Sequence, residues 1–273
     1  MSPIEFPTAR LSTRVSLRWI PEPAFENTDT IVLSVGEWYV DLRMDKRTGT
    51  IDWAIAGERI VESNEPAKVL FTHELDSHGE FSSSDLGTFS KLPTGDDLET
   101  GSMPRPDVSG APITEYEEVW RELEPNQAPE SDADKPQSWI VESVDEQDGN
   151  GAGAEEKRVV KTFLGRIAST YVALRQEQIH KWEITEDGKR KVTKTGGPAV
   201  ARREEWEKGA NREPGKWSVK YVVGDESNSL PALSMQADGK FQGEGTDKWK
   251  KGGIVDVNGE KYRVRAFEYG RRV

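Results

Sequence analysis

Short runs in which apolar and polar residues alternate recur along this chain, and they restrict it to folds built from strands. Val15, Leu17 and Trp19 alternate with Ser16 and Arg18. Trp38, Val40, Leu42 and Met44 alternate with Tyr39, Asp41 and Arg43. Ile51, Trp53 and Ile55 alternate with Asp52 and Ala54. A period of two sends neighbouring side chains to opposite faces of a strand. Between the last two runs lies Asp45-Lys-Arg-Thr-Gly49, a hairpin loop in which glycine can take a positive φ. Val and Ile together number 34 against 18 Leu and Met, a balance that suits the pleated surface.

The second half has the same style. Trp217, Val219 and Tyr221 alternate with Ser218 and Lys220. His180, Trp182 and Ile184 precede Glu186-Asp187-Gly188, after which Lys189 to Thr195 can return. The clearest hairpin centres on Asn258-Gly259, a pair that suits a type I′ turn. Ile113 to Leu123 fits a strand or a short helix. Phe163 to Gln178 fits either a helix by propensity or strands by its Ile167, Tyr171 and Val172, and Arg202 to Lys208 fits a short surface helix. Antiparallel strands without a βαβ rhythm argue for two sandwiches or barrels.

Charge divides the chain. Residues 1–123 hold 11 basic and 23 acidic side chains, residues 124–156 one and ten, and residues 157–273 25 and 16. Opposite signs on the two ends favour docking of one half on the other, with salt weakening the long-range part. Residues 124–137, with three prolines and no large apolar side chain, read as an acidic linker because such a stretch cannot offset its ordering entropy by burial. The expected domains are therefore 1–123 and 138–273. Ser138 to Val144 reads as a strand, Asp145 to Glu156 as a Gly-rich loop, and Ser77 to Gly110 as a long excursion from the first domain.

Catalytic motifs are missing. Cysteine is absent, which excludes disulfides, thiolate ligands and cysteine nucleophiles. There is no GxxxxGK[ST], GxGxxG or Gly-x-Ser-x-Gly pattern, so no cofactor is expected. His73 and His78, near Glu74 and Asp76, lack a matched third ligand, and no metal site is expected. No apolar run approaches the roughly 18 residues of a membrane helix, and the amino-terminal sequence lacks a secretory pattern; both suit a soluble intracellular protein. Lys248-Trp-Lys-Lys251 and Lys189-Arg-Lys191 cluster basic residues, but a net charge of −12 repels phosphate at long range, so nucleic acid is not expected as a partner. Ser131 and Ser143 precede carboxylates and are candidate phosphorylation sites for an acidophilic kinase. Gly36-Glu-Trp38 and Gly215-Lys-Trp217 match the Gly-x-Trp of lipocalin barrels, but chance gives about 0.8 such matches from this composition, and both Trp read equally well as strand core.

Three stretches resemble the fungal HRI protein family. They are Ile51-Asp-Trp-Ala-Ile-Ala-Gly-Glu58, Glu118-Val-Trp-Arg-Glu-Leu123, and Trp249-Lys-Lys-Gly-Gly-Ile-Val-Asp-Val-Asn-Gly-Glu-Lys-Tyr-Arg-Val264. The resemblance implies an all-β chain of two tandem lipocalin-like antiparallel β-barrel domains, located in cytoplasm and nucleus. It implies a casein kinase I-type protein kinase and protein-translocation components as partners, and it carries over no catalytic residue. The expected function is a non-enzymatic interaction protein. The alternative is a small hydrophobic ligand carrier, which requires a closed apolar cavity of roughly 300 Å³ or more. Trp53 and Trp182 are then the candidates for lining a barrel interior.

Overall fold

The computed structural model describes residues 9–82, 85–105, 107–125, 137–144, 156–185, 189–209, 215–224, 230–236, 241 and 248–269. The fold is all-β, with no α-helix among these residues. The first half contributes β1 (Ala9–Trp19), β2 (Thr28–Val35), β3 (Trp38–Asp45), β4 (Ile51–Asn64), β5 (Ala67–Phe71), β6 (Leu75–Asp76), β7 (Asp85–Lys91), β8 (Asp97–Pro104) and β9 (Ile113–Leu123). Eight of them pair in the order β3-β2-β1-β9-β8-β7-β5-β4, and β3 pairs back to β4, so the sheet closes into an antiparallel barrel. The two-residue β6 adds to β4 at Ile55 and Ala56. Ile113 to Leu123 is therefore a strand. The expected excursion over 77–110 is corrected: β7 and β8 lie in it, and β8 pairs with β9 along its whole length.

The second half contributes β10 (Gln137–Ser143), β11 (Glu156–Ile167), β12 (Thr170–Ile184), β13 (Arg190–Glu207), β14 (Lys216–Val223), β15 (Ile254–Val257) and β16 (Glu260–Tyr269). They form one antiparallel sheet in the order β14-β13-β12-β11-β10-β16-β15. Among the described residues this sheet is open, with β14 and β15 at its edges, where a second closed barrel was expected. Its core comes from covering layers instead of closure. One face packs on the first barrel, and the other is covered by Leu230, Leu233, Phe241 and Trp249.

Burial on both faces also explains the ambiguous stretch. Phe163 to Gln178 spans the end of β11, a turn in which Ala168 has φ 47°, and most of β12. Neighbours such as Phe163 and Leu164, or Tyr171 and Val172, point opposite ways yet are all buried. Period two disappears from the hydrophobicity pattern when both sides are covered. Arg202 to Lys208 is likewise not a helix: residues up to Glu207 belong to β13, paired on both sides. The Asn258-Gly259 turn is as expected, with φ 54° and 88° and Val257 opposite Glu260. Residues 126–136 of the expected linker 124–137, including Ser131, residues 145–155 of the expected loop 145–156, and Glu186 to Gly188 lie outside the described residues.

The largest apolar cluster joins the halves. Leu33 and Val35 of β2, Val40, Leu42 and Met44 of β3 and Ala54 and Ala56 of β4 meet Ile140, Phe163, Val172, Leu174 and Ala201 of the second sheet. The apolar set of β3 thus faces outward from its own barrel, and Tyr39, Asp41 and Arg43 face inward. Trp38 of the first Gly-x-Trp stacks on Phe163 at 6.0 Å, across the same junction. Trp217 of the second lies buried on the far face of the second sheet beside Trp206. Both are core residues.

Opposite charge also meets at the junction. Lys194, Arg203 and Lys251 of the basic half pair with Glu74, Asp29 and Glu37 of the acidic half at 2.7, 3.0 and 2.8 Å. Lys251–Glu37 is exposed and the other two pairs are partly buried; a solvent-exposed pair contributes about 0–1 kcal/mol. A fully buried Leu or Val contributes about 1.5–3 kcal/mol. The apolar contact therefore holds the halves together, and the charge pairs select its orientation.

Candidate ligand site in the first barrel

The outer face of β2–β4 is almost wholly apolar, and the inner face mixes Val32, Tyr39, Trp53 and Ile55 with Ser34, Asp41, Arg43 and Arg59. The inner face lines a partly open cavity of about 70 Å³. Arg10 and Ser12 of β1, Asp41 and Arg43 of β3, Arg59 of β4 and Glu99 of β8 contribute its polar wall. Ile55, Val69, Phe71, Phe89 and Trp120 contribute the apolar wall. A carrier of hydrophobic molecules was expected to have an apolar cavity. This lining is mixed: apolar side chains supply the larger share of its surface, with buried charged groups set among them.

Most of these charges are mutually engaged. Arg43 donates through Nε and Nη2 to Asp41 Oδ2, at 3.0 and 2.8 Å, and lies 3.3 Å from Glu118 Oε1. Arg14 donates to the same Glu118 at 2.5 Å and to Glu26 at 2.7 Å. The Arg43 guanidinium sits over the Trp53 and Trp120 rings, 5.0 and 5.6 Å from their centroids, a favourable placement for a delocalised cation.

Glu99 accepts from Tyr116 Oη at 2.9 Å and from Trp120 Nε1 at 2.8 Å. Burial, with Glu118 and Asp85 nearby, nevertheless holds its carboxyl well above the usual range. Gly101 makes room for this group: a Cβ there would stand 2.7 Å from Tyr116 Oη. Burial likewise raises Asp41, against the pull of Arg43.

Two groups at the cavity are less well served. Asp41 Oδ1 is buried with no hydrogen bond, and so is Arg10 Nε. Arg10 reaches Asp97 through Nη2, and its Nε lies 3.5 Å from Glu122 Oε2. Arg59 is pushed down to about 10 by burial and by the neighbouring Arg10.

The expected site residues fall in different places. Trp53 lines the cavity, donating Nε1 to Asp76 Oδ1 at 2.9 Å and stacking on His78 at 4.8 Å. Trp182 sits partly exposed on β12, opposite Val192, in a sheet that is open among the described residues, and so lines no barrel interior there. Ser143 is on β10, where its hydroxyl donates to Val160 O at 3.2 Å and accepts from Thr162 N at 2.9 Å. Phosphorylation there requires this pairing to open.

His73 and His78 diverge. Buried His73 donates Nδ1–H to Asp76 Oδ2 at 2.6 Å, and His78 turns Nε2 to Asp52 O at 2.7 Å. Among the described residues no group of three or more His, Asp and Glu side chains could hold a metal ion. Sequence reasoning missed Arg10, Asp41, Arg59 and Glu99, because isolated charges in alternating strands read as solvent-facing. A polar set opposite an unusually complete apolar set, as in β3, is the signal that could have found them.

Comparison with known proteins agrees with this architecture. No curated protein sequence matches the chain. A crystal structure of the uncharacterized protein YLR301w from Saccharomyces cerevisiae superposes with a TM-score of 0.61 at 16% sequence identity, covering 96% of this chain and 99% of that one. At that identity the likeness speaks for the fold alone. The profile of the family described as Protein HRI1 matches residues 10–264, nearly the whole chain, and so this polypeptide belongs to the HRI1 family.

Proposed function

We propose that this chain is a non-enzymatic binding protein whose first half works as a lipocalin-like barrel for a small polar ligand. The observation that carries the reading is the cavity of about 70 Å³ among Arg10, Asp41, Arg43, Arg59 and Glu99. A barrel of eight strands can be filled by its own side chains or leave space for one small molecule, and this one leaves space between charged and apolar side chains. In this reading the second sheet is the platform that covers the barrel's apolar flank.

The test is a fragment screen on the full chain by thermal shift, followed by titration of the tryptophan fluorescence. A ligand at about 100 times its Kd stabilises by about 2.7 kcal/mol. Binding should weaken when the cavity is blocked by Ser12→Phe. A screen without hits would sink the reading, as would hits indifferent to that substitution.

A second reading, as partner of a casein kinase I-type kinase and of protein-translocation components in cytoplasm and nucleus, is favoured by membership of the HRI1 family. The acidic segment 124–137 is the proposed kinase-facing part. Co-purification with a casein kinase I, compared with a variant whose acidic residues in 124–137 are replaced by Ser, tests it. Equal recovery of the kinase with both would count against the role of that segment, and no recovery with either against the partnership.

A further inference from the structure

The amphipathic aromatic side chains of the barrel wall have their polar atoms occupied by the protein itself. Trp53 donates Nε1 to Asp76 Oδ1 at 2.9 Å, and Trp120 donates Nε1 to Glu99 Oε2 at 2.8 Å. Tyr39 donates its hydroxyl to the carbonyl of Thr72 at 3.0 Å, and Tyr116 donates to Glu99 Oε1 at 2.9 Å. All four line the cavity. Each is thus tied at its polar end, which fixes the ring and leaves ring surface as what it offers a ligand. Phe71 and Phe89 extend that surface. Tyr39 meets Phe71 edge to face at 5.3 Å, and Phe71 meets Phe89 in the same way at 6.3 Å.

The charged members of the wall are already matched. Arg43 is held by Asp41 and Glu118 and lies against the Trp53 and Trp120 rings. Arg10 is held by Asp97, and Arg59 is engaged as well. Asp85 Oδ2 lies 3.7 Å from His73 Nε2. Glu99 accepts a hydrogen bond on each oxygen. An ion entering such a wall gives up its hydration without meeting a free counter-charge, a cost that an uncharged molecule does not bear.

Apolar side chains supply the larger share of the cavity surface. The cavity is partly open, so a ligand can extend through its mouth.

Building on the reading of the barrel as a ligand site, we propose that its ligand is an aromatic molecule whose polar groups are uncharged. The ring packs against Tyr39, Phe71 and Phe89, where edge-to-face contact adds to simple burial.

The experiment titrates the full chain with 1-naphthylmethanol, 1-naphthoate and 1-naphthylmethylammonium, which share a ring system and differ in charge. A fourth probe, the decahydro analogue of the alcohol, lacks aromaticity. Binding is read by calorimetry. The alcohol is expected to bind about tenfold or more tighter than either ion. It should bind about two- to tenfold tighter than its saturated analogue. Ser12→Phe should weaken its binding about tenfold, and Phe71→Leu should narrow the gap to the saturated analogue.

Either ion binding as tightly as the alcohol would overturn the uncharged assignment while leaving the barrel a ligand site. The saturated analogue binding as tightly would overturn the aromatic one. Binding of the alcohol indifferent to Ser12→Phe would place it outside the barrel and overturn the proposal. Should that variant fail to fold, intermolecular NOEs from the naphthyl protons to Phe71 and Phe89 on the unaltered chain replace it, and their absence counts the same way. If no naphthyl probe binds, the hits of the fragment screen that depend on the cavity decide. Uncharged aromatic hits uphold the proposal, charged or aliphatic ones overturn it alone, and a screen without hits overturns both readings.

Discussion

The side-chain amide of Gln176 on β12 hydrogen-bonds both backbone polar groups of Asp76 on β6: Oε1 accepts from Asp76 N at 3.2 Å, and Nε2 donates to Asp76 O at 2.6 Å. A side chain from one half thus does for a short strand of the other what a neighbouring strand would do. Replacing it by Leu leaves a buried donor and acceptor unserved, at about 1–3 kcal/mol each. Gln176→Leu should therefore lower stability by about 2–6 kcal/mol in urea unfolding. A change below about 0.5 kcal/mol, the level of an ordinary surface substitution, would show that the contact is incidental.

His73 makes stability depend on pH. Its pKa is raised to about 9 from the ordinary 6.5: burial opposes the rise, but Asp76 and Asp85 outweigh it. The charged form is favoured in the folded chain, so the stabilisation is complete below about 6.5 and is lost as pH climbs through about 9. At about 1.4 kcal/mol per pH unit, the loss across that window is about 3 kcal/mol. Unfolding free energies of the native chain and His73→Gln, measured from pH 6 to 10, should show a decline in the first that is absent from the second. Parallel curves would refute the assignment.

Leu33→Ala and Phe163→Ala each remove a side chain from the junction between the halves, where both are fully buried. Costs of about 2–5 kcal/mol are expected. Since one cluster serves both halves, either substitution should shift a single unfolding transition. Two separate transitions, with each variant moving only the one belonging to its own half, would show that the halves fold independently.

Tyr116→Phe takes one hydrogen-bond donor from Glu99. That donor opposes the effects of burial, Glu118 and Asp85 on the carboxyl, so its loss should raise the Glu99 pKa further. Carbon-detected NMR titration of Glu99 in the two proteins checks the direction, and a downward movement would contradict the geometry.

Asn258→Ala should cost about 1 kcal/mol, because φ of 54° is a left-handed conformation that Asn tolerates better than Ala. Asn258→Gly should be close to neutral. Chemical denaturation of both variants checks the order.

The strands themselves were legible wherever one face was more polar than the other. Trp38 to Met44 and Trp217 to Tyr221 could be read directly, and so could the Asn258-Gly259 hairpin. What alternation does not encode is which core an apolar face belongs to. Val40, Leu42 and Met44 look like barrel filling, yet they serve the junction, and this moved Asp41 and Arg43 into the cavity. Trp182 failed as a lining residue for the related reason that closure of a sheet depends on its long-range partners. At Phe163 and Leu164 burial on both sides erased the pattern. The cavity residues were invisible because a solvated charge and a charge paired inside a barrel have the same local sequence.

The outward-facing row of Leu33, Val40, Leu42 and Met44 has an evolutionary corollary. Cut after Leu123, the barrel would carry a greasy flank into water and clump, visible as sedimenting aggregates. Neither portion is then a portable module that recombination can shuffle, and the two must be inherited as one unit.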